Sequence, residues 1–347
     1  MFSIYSDRSF LASPSTPHAV ILSPFWGANP ETPPDTGRFD RYTEVGSSLF
    51  AMTSLDECDA AVFPQNWEAA GDRAPELADE FSTVCRDAGK PPVVFSGADP
   101  TEPPPVDALL FRTSLVRSRR RPNEFAFPAW SEDFLARYLG GELHLRPRRS
   151  PPVVGFCGNT MGGLPQTSLG GRIRRRLGGR RSQALRTLGG DHPRTLALRA
   201  IDRDRRLEPN FVLRDTFWAG ALGDASSLLK ARQEFVRNTQ GSDYVLCARG
   251  IGNFSYRLYE TLSMGRIPIF VDTDCVLPLD FEIDWRDHCV WVEADEIDHI
   301  GDRVLEFHEA LGNSEFEDRQ RTCRRIWETH ISPEGFFASF HRHFELT

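Results

Sequence analysis

Residues 243–272 read DYVLCARGIGNFSYRLYETLSMGRIPIFVD, and their pattern decides the fold. Tyr244 to Cys247 is a short, continuously apolar run, the mark of a strand buried on both faces. A turn follows in which Gly250 and Gly252 flank Ile251, and Asn253 and Ser255 are both good N-caps for the next helix. Phe254, Leu258 and Leu262 recur at four-residue spacing, which predicts one helix face against a sheet. Gly265 is placed to stop the helix, and Ile267 to Val271 supplies a second strand. Strand, turn, helix and strand make a βαβ unit, which implies a parallel sheet. The turn Gly250–Asn253 presents backbone N–H groups at a helix N-terminus, where the dipole favours an anion. With a diphosphate there, Glu260 in the second turn is in position to accept hydrogen bonds from ribose hydroxyls. Arg257 and Glu260 also share a helix face, so an ordinary surface ion pair is the plain alternative.

The same alternation extends in both directions. Upstream, Ala19–Leu22, Ala60–Phe63, Pro92–Phe95 and Ala108–Phe111 read as short buried strands, with a helix over Glu76–Ala88 and a proline-rich loop over Ala28–Arg38. Residues 146–152, RPRRSPP, have linker composition. After them Val153–Phe156, Asn210–Leu213 and Cys289–Val292 read as strands, and Arg172–Leu188 and Ser226–Thr239 as helices. The stretch Glu315–Phe344 reads as helical, with Ser332 capping a new start at Pro333. The expected fold class is α/β: residues 1–148 as one Rossmann-like domain, 149–325 as a second, and 326–347 as a helical tail packing back on the first.

A length of 347 residues suits two domains, and 40% hydrophobic with 26% charged residues is a globular composition. Net charge is −8, which argues against nucleic acid as a partner, and no aromatic-rich recognition module accompanies the arginines. Arg117–Arg121 and Arg172–Arg181 form basic clusters, expected as solvated faces with one or two arginines reserved for an anion. Seven scattered cysteines without C-x-x-C spacing read as small hydrophobes in a reducing compartment. No apolar run is long enough to span a bilayer, and residues 1–10 lack a signal-peptide layout. The expected setting is the cytoplasm, at most peripheral to a membrane.

The 243–285 segment resembles the C-terminal region of the exostosin family of glycosyltransferases (family 47). That region shows a glycine turn, a serine, Arg-Leu-x-Glu/Asp-Ala/Thr-Leu, a glycine, Ile-Pro-Val-Ile, a further proline and Ile-Asp-Trp/Tyr. Here these are Gly250 and Gly252, Ser255, Arg257 to Leu262, Gly265, Ile267 to Phe270, Pro278, and Ile283 to Trp285. The match covers about residues 209–295 and departs at Arg249, where many members carry proline. The resemblance implies a GT-B fold, two facing Rossmann-like domains with a cleft between them. It further implies inverting transfer from a UDP- or GDP-linked sugar to a hydroxyl of a glycan or other acceptor.

Inversion requires a base for the acceptor hydroxyl and positive charge for the departing diphosphate. For the diphosphate the candidates are Arg249, Gly250, Gly252, Asn253, Ser255 and Arg257, assisted by Asn159 and Arg172, with Glu260 on the ribose. For the base, Asp99 leads, at the carboxyl end of an upstream strand, followed by Glu68 and His18. Asp272-Thr273-Asp274 and Asp202-Arg203-Asp204 spell D-x-D, but GT-B enzymes hold diphosphate on helix dipoles and basic groups, so no metal and no cofactor is expected. The alternatives are a fucosyltransferase-like GT-B enzyme and a non-catalytic GT-B module binding glycan or a partner. A Rossmann oxidoreductase is disfavoured because residues 155–159, GFCGN, lack G-x-G-x-x-G spacing.

Overall fold

The computed structural model describes residues 1–31, 36–161, 176–177, 190–214 and 225–346. The first half forms a six-stranded parallel sheet from β1 (Phe2–Tyr5), β2 (Phe50–Met52), β3 (Ala60–Val62), β4 (Pro92–Ser96), β5 (Leu109–Arg112) and β6 (Glu124–Ala126), in the order β2-β1-β3-β4-β5-β6. Helices α1 (Ser23–Trp26), α2 (Asp40–Val45), α3 (Ala74–Asp87) and α4 (Phe134–Tyr138) accompany it. Alternation along the strands sorts the two faces. Ala61, Val94 and Leu110 meet Leu77, Ala78 and Phe81 of α3, while Val93, Phe95 and Phe111 face the other way.

That other face is covered by residues far along the chain. Helix α9 (Asn313–Ile326) runs through a wide turn at Trp327–Ile331 into α10 (Pro333–Ala338). Ser332 caps α10 by accepting from Gly335 N–H at 3.1 Å. Phe337 lies 6.3 Å from Phe95 and 6.1 Å from Phe50, and Phe340 lies 5.0 Å from Phe111. The Trp130 indole N–H donates to Ile331 O at 2.9 Å.

The second sheet holds β7 (Val153–Asn159), β9 (Glu208–Arg214), β10 (Tyr244–Cys247), β11 (Ile267–Asp272) and β12 (Val290–Glu293), all parallel. The two-residue β8 (Arg176–Leu177) joins β9 antiparallel, giving the order β12-β11-β10-β7-β9-β8. Helices α5 (Pro193–Arg203), α6 (Ala225–Gln240), α7 (Tyr256–Ser263) and α8 (Ile300–Glu309) belong to this half. After β7 the chain builds towards β9 and then returns to place β10 on the other flank of β7. The crevice beyond the carboxyl ends of β7 and β10 is therefore the switch point where open α/β sheets bind ligands.

Several sequence expectations change. Ala19–Leu22 is not a strand: Val20–Leu22 is a 3₁₀ turn leading into α1, because Pro24 lacks the N–H a ladder needs and suits a first helical turn. The Arg172–Leu188 helix lies outside the described residues except at 176–177, which are strand. The Arg117–Arg121 cluster is largely solvent-exposed, as expected, but Arg117 and Arg120 also clasp the two halves. Arg117 bonds Asp272 at 2.7 Å, Arg120 bonds Asp280 at 2.7 Å, and Val116 forms a β-bridge with Cys275. All seven cysteines are buried free thiols, as expected of small hydrophobes. No described helix is long and apolar enough to cross a membrane.

Candidate functional site

A cavity of about 410 Å³ occupies the switch point of the second sheet and reaches residues of the first half. β7 delivers Cys157, Gly158 and Asn159 to it, the turn after β10 delivers Gly250 and Gly252, and α7 delivers Ser255, Arg257 and Glu260. Asp99, from the loop after β4, and Ser131, from the segment after β6, close it from the opposite side.

Arg257, in the first turn of α7, crosses the end of β7. Its Nη2 donates to Cys157 O at 2.8 Å and its guanidinium lies 4.3 Å from the Phe156 ring centroid. A Cβ at position 158 would stand 2.5 Å from that Nη2, so the close approach requires Gly158. Arg194 arrives from the start of α5, where His192 caps the helix by accepting from Arg194 N–H. Its Nη1 donates to Asn159 O at 3.1 Å and its Nη2 to Ala248 O at 3.0 Å. Only 7% of Arg194 is exposed. Burial, with the charge of Arg257 next, pushes its pKa down to about 9, so it stays cationic at neutral pH.

Among the described residues neither Arg194 nor Arg257 touches a carboxylate, and the Nε of each is buried without a hydrogen-bond partner. The hydroxyls of Ser131 and Ser255, also lining the cavity, are buried and unpartnered too. Buried cations and orphaned donors are individually unfavourable by a few kcal/mol. Four such side chains line one cavity at the start of a helix, an arrangement whose chemistry suits an anion.

Glu260 sits in this cavity, but its partner is not Arg257. Its Oε1 accepts from Arg232 Nη1 at 3.1 Å, and Arg232 Nε lies 3.2 Å from Glu132 Oε1. Arg232 and Glu132 are both buried, so α6 ties a first-half carboxylate to a second-half one. Arg214 also lines the cavity and pairs with Glu234 at 2.8 Å.

The cavity thus collects Asn159, Gly250, Gly252, Ser255, Arg257, Glu260 and Asp99. Asp99 Oδ1 lies against Gly252, where an added Cβ would be 2.7 Å away. Other candidates fall elsewhere. Arg249 lines a neighbouring shallow depression with Asp272, Asp274 and Glu293. Asn253 is not the helix cap, which is Ser255; it joins the halves, donating N–H to Ser114 Oγ at 2.9 Å and Nδ2–H to Leu115 O at 3.1 Å. Arg172 lies outside the described residues. Glu68 holds the end of β4, accepting from Ser96 Oγ at 2.5 Å and Gly97 N–H at 3.1 Å. His18 packs on Trp26 with its Nε2 3.4 Å from Ser23 Oγ, and burial lowers its pKa. The carboxylates of Asp272-Thr273-Asp274 are engaged by Arg117 and Ser118, across the same clasp.

Arg194, Arg232, Arg214 and Ser131 were missed from sequence. His192-Pro193 is a cap followed by an N1 proline, a helix-start signal that leads to Arg194. Nothing local marks Arg232, which gains its role by tertiary packing. No protein-family model matches the chain, and no curated protein matches it either.

Proposed function

We propose that this chain is an inverting glycosyltransferase of GT-B architecture, moving a sugar from a UDP- or GDP-linked donor to a hydroxyl of a glycan or other acceptor. The observation that carries it is a pair of guanidiniums at the switch point of a parallel sheet, Arg194 buried and Arg257 half-buried, neither touched by a carboxylate among the described residues. A diphosphate supplies the missing charge. In this assignment residues 149–325 hold the donor and residues 1–148 face the acceptor, with 326–347 packed on the latter. The exostosin-like motif supports the same choice of ligand.

The step is a single displacement. The acceptor O–H gives its proton to the Asp99 carboxylate as its oxygen bonds to the anomeric carbon. The bond from that carbon to the diphosphate oxygen breaks, and its electron pair leaves with the diphosphate. Arg194, Arg257 and the N-terminus of α7 stabilise the charge gathering there. Glu260, oriented by Arg232, receives the ribose hydroxyls.

Calorimetric titration of UDP and GDP into the full chain tests the donor site, and proton NMR of the product's anomeric configuration tests inversion. Saturable binding of one nucleotide and a product of inverted configuration are expected. No binding of either nucleotide would remove the reading.

A further inference from the structure

The loop after β4 that carries Asp99 is held by three consecutive side chains at the end of β5 and just beyond it. Arg112 Nη2 donates to Pro100 O at 3.4 Å, Thr113 Oγ1 to Ala98 O at 3.3 Å, and Ser114 Oγ to Asp99 O at 2.8 Å. Arg112 is itself fixed, buried against Glu124 at 2.8 Å. Glu68 holds the start of the loop by accepting from Ser96 Oγ and Gly97 N–H. Each carbonyl from 98 to 100 thus has a side-chain donor, while the Asp99 carboxylate makes no hydrogen bond among the described residues.

Ser114 also reaches the second half. Its Oγ accepts from Asn253 N–H at 2.9 Å, so one hydroxyl, on a residue 1% exposed, joins the backbone of Asp99 to the turn before α7. A serine hydroxyl has one proton and two lone pairs; here the proton goes to one loop and a lone pair to the other. Asn253 has further anchors at the same junction. Its Nδ2 donates to Leu115 O at 3.1 Å and Asp274 O at 3.2 Å, and its Oδ1 accepts from Thr273 Oγ1 at 2.7 Å. On the cavity side, Asp99 Oδ1 lies against Gly252, a contact that a Cβ at 252 would block.

Without the Ser114 hydroxyl, the side-chain anchors of Asn253 would remain, and with them the shape of the turn. Asp99 would lose the bond at its own carbonyl. We propose that Ser114 is a positioning residue, its hydroxyl setting the distance between the Asp99 carboxylate and the turn Gly250–Asn253, and so between the base and the departing diphosphate. The proposal rests on the transferase assignment for its catalytic meaning, and on the two hydrogen bonds for the tether itself.

The test is a double-mutant cycle on the full chain, with Ser114→Ala, Asp99→Asn and the two combined. Turnover is read as UDP or GDP released from a panel of UDP- and GDP-sugars with methyl glucoside as acceptor. Titration of UDP and GDP gives donor affinity, and amide hydrogen exchange reads segments 97–101 and 250–254. A misplacement of about 1 Å costs on the order of 10²-fold in rate. Ser114→Ala should therefore lower kcat on the order of 10²-fold, with donor affinity within about threefold of wild type. It should quicken exchange in both segments together and cost nothing further in the Asp99→Asn background, whereas a merely structural serine would slow both backgrounds alike. Unchanged kcat in Ser114→Ala, a loss that multiplies undiminished on Asp99→Asn, donor affinity falling as far as kcat, or exchange as in wild type would each overturn the proposal. If wild type binds neither nucleotide and turns over no donor, the transferase reading falls and exchange decides the tether: quickening of both segments keeps it, and unchanged exchange removes it.

Discussion

Arg194 and Arg257 share the ring of Phe156, at 6.0 and 4.3 Å from its centroid, while no described carboxylate touches either. Cation–π attraction of about 0.5–2 kcal/mol per pair offsets part of their mutual repulsion. In the proposed function a diphosphate offsets the rest. Arg194→Met should therefore weaken nucleoside diphosphate binding by one to two orders of magnitude, about 1.5–3 kcal/mol. The ligand-free protein should unfold at an equal or higher temperature, because a buried cation without a counter-charge has gone. Calorimetry and thermal unfolding on the same sample check both signs.

Glu260→Ala should behave differently. It strips one carboxylate from buried Arg232, leaving Glu132 as the remaining described one, and should lower stability by about 1–3 kcal/mol while also weakening nucleotide binding. Chemical denaturation compares it with Glu260→Gln, which retains an acceptor for Arg232 and should recover part of the stability.

Asp99→Asn should reduce turnover by about 10²–10⁴-fold with donor affinity nearly unchanged. Donor affinity is read by titration and turnover by sugar transfer. An unchanged rate would hand the proton to another group, and Glu68 is a poor successor because both its oxygens are hydrogen-bonded at the end of β4.

Transfer should persist in excess EDTA, since the diphosphate charge is assigned to Arg194, Arg257 and a helix N-terminus. A strict Mg²⁺ or Mn²⁺ requirement for donor binding, measured by titration with and without chelator, would count against that assignment.

His343 sets a pH dependence. It lies among Phe111, Phe125 and Phe281, its Nδ1 hydrogen-bonded to Phe340 O at 2.9 Å, and burial lowers its pKa from an ordinary 6.5 to about 4. The unfolded chain binds the proton first, so stability is full above about 6.5, falls as pH drops, and levels off below about 4. The loss at the lower end is up to about 3 kcal/mol. His343→Phe should flatten that part of a denaturation series run against pH.

The βαβ unit at 243–272 was legible because its strands are continuously apolar and its helix carries four-residue spacing, signals internal to one segment. The same holds for β3, β4, β5 and α3. Strand β6 was not legible: its Glu124 looks like a surface charge and is buried against Arg112 at 2.8 Å. Helix α5, with arginines at 194, 199 and 203, hid behind its charge, and Arg194 was lost with it. Asn253 carried a good cap signal that the structure uses to join two halves, a contact depending on Ser114 and Leu115 far upstream. Local pattern marks elements; which side chains meet at a site is decided by packing.

Phe337 and Phe340 complete the face of a sheet whose last strand ends at Ala126. During synthesis that sheet emerges from the ribosome long before its cover does. Phe50, Phe95 and Phe111 then present a greasy, unshielded face to solvent or to a chaperone until α10 is made. A nascent chain stalled anywhere between 127 and 332 would thus be sticky and unfinished in its earlier half, and a single cut between the halves would leave the cover of the first sheet on the other fragment.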